Sequence, residues 1–396
     1  SLEGLASSSP VESKPRQAEL ALQAENWRKM IIATAHDIRV ILLKLADRKH
    51  NIEPLEFLTP ERRKRIAEET LSLYAPMAQR LGMYQMKSAL EDLSVKYLEP
   101  EIYQSLKTKL NEREARRLES LEKCSSEIGA LLTRFDFPYR ISARPKNLYS
   151  VYRKMLRQNK PFEDIQDLVG VRVITDTVEH CYALLGIFQT HFQPEPGTFT
   201  DYIALPKNNL YQSLHLTVKI PRGELVEIQI RTEQMNHIAE YGIAAHWRYK
   251  QTSGSHRQDS AGDSVENKLD WLKQILEWQQ ETDNPHDFLD GLKVELDFDQ
   301  VFVFTPKGEV KKLPAGSTPI DFAFAVHTEL GHQCIGAKVN NKMVRLDYKL
   351  KSGDRCEILV RKGQHPHKDW LEWVRTPRAR SKIRKFFRET DKGPRH

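Results

Sequence analysis

Apolar residues recur three and four positions apart from about Gln17 to Ala46, as in WRKMIIATAHDIRVILLKLA, and that spacing predicts helix. A second helical run, TPERRKRIAEETLSLYAPMAQRLG, follows Pro60, a residue suited to the first turn. Residues 83 to 134 keep the helical period through charged stretches such as LKTKLNEREARRLESLEK, so the first third of the chain is expected to be all-helical. After Phe137-Pro138 the pattern changes. Strands expected near 139–143, in DLVGVRVIT, and near 200–204, 213–220 and 225–231 alternate with helices near 146–157, in VEHCYALLGIFQTHF, and near 233–250. The polar stretch QTSGSHRQDSAGDS (251–264) reads as a linker, and ENKLDWLKQILEWQQE after it as an amphipathic helix. Residues 299–361 read as a small domain: a hairpin around Pro306-Lys307-Gly308, a short helix in PIDFAFAVHTELG, then strands ending in DRCEILVRK. The tail, DWLEWVRTPRARSKIRKFFRE, is a basic amphipathic helix that suits RNA or its own protein equally well. The expected class is α+β and multidomain.

One strand breaks its own pattern. In ELVEIQIRT, Ile228 and Ile230 point to a core by the period of two, which leaves Glu227, Gln229 and Arg231 on the other face. An ordinary solvated face is the simplest account of such a row. The chain's 396 residues, 39% hydrophobic and 29% charged, describe a soluble protein of two to four domains. No run approaches the roughly 18 apolar residues of a membrane span, and SLEGLASSSPVESKPRQ lacks the apolar centre of a signal peptide, so a cytoplasmic location is expected. Four scattered cysteines without a CxxC pair suggest neither zinc nor disulfides. A formal charge of +7 and a pI near 9.0 favour partners rich in phosphate, nucleotides or RNA.

Within the sheet region, Asp167 opens one hydrophobic strand and Glu227 sits on another; two carboxylates on adjacent strands would make an oxygen-lined Mg²⁺ site. RPKNLYSVYRKM places Arg144, Lys146, Arg153 and Lys154 around the first turns of a helix, where backbone donors and cations together favour phosphates. A solvated helix face is the competing account. No GxxxxGK[ST] loop occurs, which excludes a P-loop kinase. In DYIALPKNNLYQSLHLTV, the residues Tyr202, Lys207, Asn209, Tyr211 and His215 offer stacking surface, charge and amide hydrogen bonding, as a purine nucleotide requires. A core ring and a structural histidine are the alternatives for Tyr211 and His215.

RPKNLYSVYRKM, FEDIQDLVGVRVI, DYIALPKNNLYQSLHLTV, VEIQIRTEQMNHIAEYGIAAHW and LLKLADRKHNI, in that composition and with residues 299–361, resemble the RelA/SpoT family of long alarmone enzymes over nearly the whole chain. The resemblance implies a synthetase that moves the β,γ-pyrophosphoryl group of ATP onto the ribose 3′-oxygen of GDP or GTP, on a nucleotidyltransferase-like mixed sheet with flanking helices. It implies Asp167 as the Mg²⁺ carboxylate, Glu227 as metal helper and acceptor of the 3′-hydroxyl proton, and Arg144, Lys146 and Lys154 as ATP contacts. Tyr211 would stack on guanine, with Tyr202, Lys207, Asn209 and His215 nearby. The implied divisions are 1–57, a remnant of an HD hydrolase domain; 58–134, a helical connection; 135–250, the synthetase; 251–298, linker and helix; 299–361, a β-grasp-like TGS domain; and 362–396, the basic tail. A TGS domain implies the ribosome and uncharged tRNA as partners, with His332 the candidate contact and His327 its competitor.

Three departures qualify the resemblance. Of the hydrolase ligands only Asp47, with Asn51 beside it, is matched. His36-Asp37 would lie about 15 Å from Asp47 along what reads as one helix, too far for a shared metal, so no hydrolase activity is expected. At the acceptor loop stands Thr198-Phe199-Thr200-Asp201, neither the basic pattern of bifunctional members nor the acidic one of synthetase-only members, which leaves the choice of GDP or GTP open. The family's later C-terminal domains do not occur in these 396 residues, which fits a piece of a longer protein and a natural short form equally well. The rival from another class is a catalytically inactive regulator that binds ribosome or tRNA. An enzyme adding a nucleoside monophosphate to RNA would need a close acid pair, which the sheet region lacks.

Overall fold

A computed structural model of the chain describes residues 14–133, 137–165, 169–207, 209, 211–219, 225–245, 270–279, 282, 284–297 and 299–391. It forms two compact units: Leu42–Lys268, and a second that joins the chain up to Ile41 with Leu269–His396. That division crosses the boundaries drawn from sequence, since the first helix is grouped with Leu269–His396.

Helix α1 (Lys14–His36) and helix α2 (Arg39–Ile52) are separate. Asp37 accepts the Arg39 backbone N–H at 2.9 Å and grips its guanidinium, so the chain turns there and restarts. The single helix expected through His36, Asp37 and Asp47 is therefore two. Asp47 is instead bonded by Asn51 one turn on, at 3.1 Å.

In the 42–268 unit, α3 (Pro60–Glu69) begins with proline in its first turn and widens over residues 70–74 to i→i+5 spacing before α4 (Ala75–Arg80). Helix α5 (Tyr84–Leu98) and helix α6 (Pro100–Leu132) complete the helical region, divided at Pro100. The sheet region runs β1 (Tyr139–Pro145), α7 (Leu148–Gln158), β2 (Val169–Thr175), α8 (Val178–His191), β3 (Gln193–Pro194), β4 (Thr200–Asp201), β5 (Leu214–Lys219), β6 (Leu225–Thr232) and α9 (Glu233–Tyr241). The strand order is β1-β2-β6-β5-β3, with β4 on β5; β2 and β6 are parallel and the other pairs antiparallel. Val171, Val173, Leu216, Ile228 and Ile230 bury one face with Leu184 and Phe188 of α8 and Ile128 and Leu132 of α6. A separate core of Val95, Leu106, Leu148 and Val151 is shared by α5, α6 and α7. The strand expected over 200–204 is two residues long because Asp201 folds the chain, accepting the backbone N–H groups of Ile203 and Ala204 at 2.9 and 2.8 Å.

The second unit adds α10 (Asp270–Gln279), α11 (Pro285–Leu296), the hairpin β7 (Gln300–Phe304) and β8 (Val310–Pro314), α12 (Pro319–Val326), α13 (Thr328–His332), β9 (Cys334–Val339), β10 (Lys342–Val344), β11 (Cys356–Val360), α14 (Trp370–Trp373) and α15 (Pro377–Asp391). Helix α11 was not separated from the linker in the sequence reading. The tail packs on its own unit: Ala379 and Ile383 are fully buried with Phe324, Trp370 and Val374. Asp321, 1% exposed, caps α12 through Thr318 and also accepts the backbone N–H of Thr376 at 2.7 Å, which ties the small domain to the start of α15. The linker 251–264 lies outside the described residues.

One backbone contact joins the helical and sheet regions of the 42–268 unit. Gly242 has φ +58°, and a Cβ built on it would stand 2.1 Å from the Leu81 carbonyl oxygen. The Ile243 N–H donates to that same oxygen at 2.9 Å. Gly242→Ala should lower stability by about 1–3 kcal/mol or more, through left-handed strain and the clash. A denaturation curve checks this, and a loss below half a kcal/mol would show that the contact yields easily.

Candidate active site

The outer face of β6 is not solvated. Gln229 is 8% and Arg231 1% exposed, and Glu227 is largely covered. The three side chains form a chain of hydrogen bonds along the strand: Arg231 Nη2 donates to Gln229 Oε1 at 3.2 Å, and Gln229 Nε2 to Glu227 Oε1 at 3.1 Å. Their spacing of two is what allows this, because it stacks them on one face. Glu227 receives two more partners from neighbouring elements. His215 Nδ1, on β5, lies 3.1 Å from Oε1, and Lys146 Nζ, on the β1–α7 connection, 3.3 Å from Oε2.

Burial alone would raise the Glu227 carboxyl, but His215, Lys146 and Gln229 together overcome it and hold the group well below the ordinary carboxylate range. Burial also lowers His215, against the pull of Glu227. The neutral imidazole then has one consistent tautomer: Nδ1–H donates to Glu227, and Nε2 accepts from the Tyr211 hydroxyl at 2.8 Å.

Around that pair the aromatic rings meet edge to face, Tyr202 at 5.2 Å from His215 and 6.0 Å from Tyr211 between centroids. Lys207 Nζ stands 4.2 Å from the Tyr202 centroid and 5.2 Å from that of Tyr211, and its ammonium is lowered by burial. Arg231 approaches Tyr211 to 5.6 Å. Asn209 shapes the loop: its Oδ1 accepts the Tyr211 N–H at 3.3 Å, and its Nδ2 donates to the Gln79 carbonyl of α4 at 3.2 Å.

The N-terminus of α7 differs from expectation. Its backbone donors were read as open to phosphate, yet Asp92 of α5 accepts the Tyr149 N–H at 2.9 Å. Beside it Glu91, 4% exposed, accepts from Asn147 at 3.3 Å and pairs with Lys87 at 2.9 Å. Carboxylates at a helix start satisfy the same donors and dipole that a phosphate would. Burial raises both acids.

The structure thus brings together Lys146, Tyr202, Lys207, Asn209, Tyr211, His215 and Glu227. Asp167 lies outside the described residues, as does the side chain of Arg144, whose backbone pairs with Gly170 in β1–β2. Lys154 is half-buried on α7. Sequence reasoning missed the Glu91–Asp92 pair, which only the packing of α5 on α7 explains. In the other unit, His327 is exposed and caps α13, whereas the preferred candidate His332 sits between Phe324 and Phe386 with centroids at 5.5 and 5.6 Å. Its Nε2 is buried without a partner. Among the described residues no three His, Cys, Asp or Glu side chains converge as a metal cluster, and no helix is long and apolar enough to cross a membrane.

Residues 143–254 match the family profile described as "Region found in RelA / SpoT proteins", residues 301–360 that of the TGS domain, and residues 2–84 that of the HD domain. The chain is 48% identical to a GTP pyrophosphokinase of Myxococcus xanthus over 93% of this chain and 48% of the relative. It is 45% identical to the "Bifunctional (p)ppGpp synthase/hydrolase RelA" of Mycobacterium tuberculosis over 93% and 50%. It therefore spans about half the length of these relatives. Among solved structures, small alarmone synthetase 1 of Bacillus subtilis is 23% identical, covering 44% of this chain and 95% of its own, with a TM-score of 0.29.

The tautomer assignment can be checked directly. Imidazole NMR should show His215 neutral at pH 7 with its proton on Nδ1, titrating below the ordinary histidine value of about 6.5. A depressed folded value means that this histidine's contribution to stability is complete above about pH 6.5 and is lost as pH falls through the lower folded value. A charged His215 at pH 7 would break the Tyr211–His215–Glu227 chain as drawn.

Proposed function

Because the chain belongs to the RelA/SpoT family, we propose that its sheet region is a (p)ppGpp synthetase, moving the β,γ-pyrophosphoryl group of ATP to the 3′-hydroxyl of GDP or GTP. The observation that carries the reading is the ionised Glu227 in contact with Lys146, His215 and Gln229 beside the Tyr202–Tyr211 aromatic wall. In the reaction the 3′-oxygen forms a bond to the β-phosphorus, the bond from that phosphorus to the α–β bridging oxygen breaks, and AMP leaves.

Lys146 has two possible partners, the Glu227 carboxylate and the phosphates of ATP. Moving to the phosphates removes one of the interactions that depress Glu227, so the carboxylate becomes a better acceptor for the 3′-hydroxyl proton when donor nucleotide is bound. His215 keeps the carboxylate oriented and remains neutral. Tyr211 stacks on guanine, with Lys207 and Asn209 fixing the loop that presents it. Arg144 and Lys154 complete the ATP contacts. The hard, ionised oxygens of Glu227 suit Mg²⁺, with Asp167 as the second ligand, and the metal would neutralise charge on the transferring group. Charge neutralisation and alignment are most of what such a transfer needs.

The HD-like residues are read as lacking hydrolase activity, since of the expected metal ligands only Asp47 is matched. The TGS domain is read as the contact to uncharged tRNA on the ribosome; His332 would have to emerge from between Phe324 and Phe386 to serve there, whereas His327 is already exposed. A cytoplasmic location accords with these partners.

Incubation with γ-labelled ATP, GDP and Mg²⁺ should label a guanosine tetraphosphate, and the absence of any labelled product would favour the inactive regulator. Glu227→Gln should abolish transfer with nucleotide binding nearly intact; activity within a few fold of the parent would remove Glu227 from the mechanism. Tyr211→Ala should weaken the guanosine acceptor by roughly one to two orders of magnitude, the value of one stacked base, with ATP little affected. Tyr211→Phe should keep the stacking yet lose the bond to His215. Equal losses for both nucleotides with a depressed melting temperature would make Tyr211 a packing residue. Pyrophosphate release from the tetraphosphate would overturn the hydrolase reading.

A further inference from the structure

The C-terminal unit contains a cleft of about 450 Å³ that the sheet-region chemistry does not use. Trp278 of α10, Val294 of α11 and Pro377 form apolar lining, and Asn284 and Thr282 stand among the residues around it. Five cations converge on it, Lys368, Arg375, Arg380, Arg384 and Arg388, against one carboxylate, Asp287. Arg384 pairs with Asp287, and Arg380 Nη2 donates to the Val374 carbonyl at 3.2 Å. Arg375 and Lys368 are exposed.

Arg380, Arg384 and Arg388 are four residues apart, so they run along one face of α15. Like charges at that spacing repel and destabilise a helix. A solvated basic helix relieves the repulsion by splaying its side chains over a convex surface. Here the same stripe lines a concavity whose other residues bring two further cations and a single acid. Such an arrangement is stabilised by an anion that accepts several guanidinium forks at once, and linked phosphates match that geometry. The cleft volume falls in the range of small-molecule sites and is too small for a folded partner.

We propose that this cleft is a second, non-catalytic site for a small ligand carrying two or more linked phosphates. The arginine stripe of α15 holds the phosphates, and the Trp278–Val294–Pro377 lining accommodates any apolar remainder. Both a nucleoside triphosphate and an inorganic polyphosphate carry the required chemistry. The site is separate from the synthetase reading and stands or fails without it.

The test is calorimetric titration of the full chain with inorganic tripolyphosphate and with GTP, in parallel with hydrogen exchange. Tripolyphosphate should protect residues 285–296 and 377–391. Arg380→Gln with Arg388→Gln should weaken it at least tenfold without shifting the melting temperature, while Tyr211→Ala should leave this binding unchanged. GTP protecting the same segments more tightly than tripolyphosphate would assign a nucleotide to the site, and equal affinity would assign the phosphate chain alone. Binding that survives in the arginine variant, protection confined to residues 207–231, or arginine-dependent binding of a short RNA with none of tripolyphosphate would each overturn the proposal.

Discussion

A carboxylate in the middle of a sheet is stable only if its lone pairs are met, and the 42–268 unit arranges its polar groups around that need at Glu227. Three elements supply partners: Gln229 from the same strand, His215 from β5 and Lys146 from the β1–α7 connection. Each is then constrained by what it does for Glu227. His215 must present Nδ1–H, which leaves Nε2 as the acceptor for Tyr211; Gln229 must present its amide nitrogen, which leaves its oxygen for Arg231. One ionised group thus orients five side chains. Removing a partner from a buried charge costs about 3–5 kcal/mol where no water replaces it, so these orientations are held firmly.

The sheet does not hold the site by itself. The connection that carries Lys146 ends at the start of α7, and that helix is fixed by Asp92 and Glu91 of α5. The loop bearing Lys207, Asn209 and Tyr211 is bonded to the Gln79 carbonyl, while Gly82 and Gly242 permit backbone approach where a Cβ on Gly82 would lie 3.0 Å from the Asn209 oxygen. The helical region is therefore one wall of the polar cluster around Glu227. A shift of α4 and α5 would move the Lys146 segment and the Tyr211 loop together, which gives the helices a physical route to influence the chemistry.

The architecture was legible because burial and periodicity coincide on β2, β5, β6 and α8, where one apolar face meets one core. The break between α1 and α2 was not, because His36-Asp37 interrupts no apolar spacing and only the bond from Arg39 to Asp37 shows that the chain restarts. At Glu227, Tyr211 and His215 polar residues stand at core-like positions in a dense motif, and the structure brings those three side chains into contact. Glu91 and Asp92 escaped because an acidic pair on a helix looks the same from sequence whether it faces water or another helix's N-terminus. At the start of α7 the Tyr149 N–H is taken by Asp92, which sequence could not show because a helix N-terminus attracts any anion and here the chain supplies one. Asp167 and the Arg144 side chain lie outside the described residues, so their placement rests on family resemblance.

The cations of the Glu227 cluster already have partners within the unit, and that bears on how the proposed synthetase would discriminate. Lys146 is occupied by Glu227, and Lys207 lies against two tyrosine rings. On the proposed function, a donor that draws Lys146 away from Glu227 would have to offer more charge than the single carboxylate it displaces. A triphosphate would meet that condition better than a monophosphate, so AMP, the leaving product of the proposed transfer, would compete weakly for the same lysine. The exchange also leaves Glu227 less depressed at the moment an acceptor hydroxyl is to be deprotonated. On this reading the resting ion pair is a gate: it keeps the base weak until the donor phosphates have arrived, and restores itself when they depart.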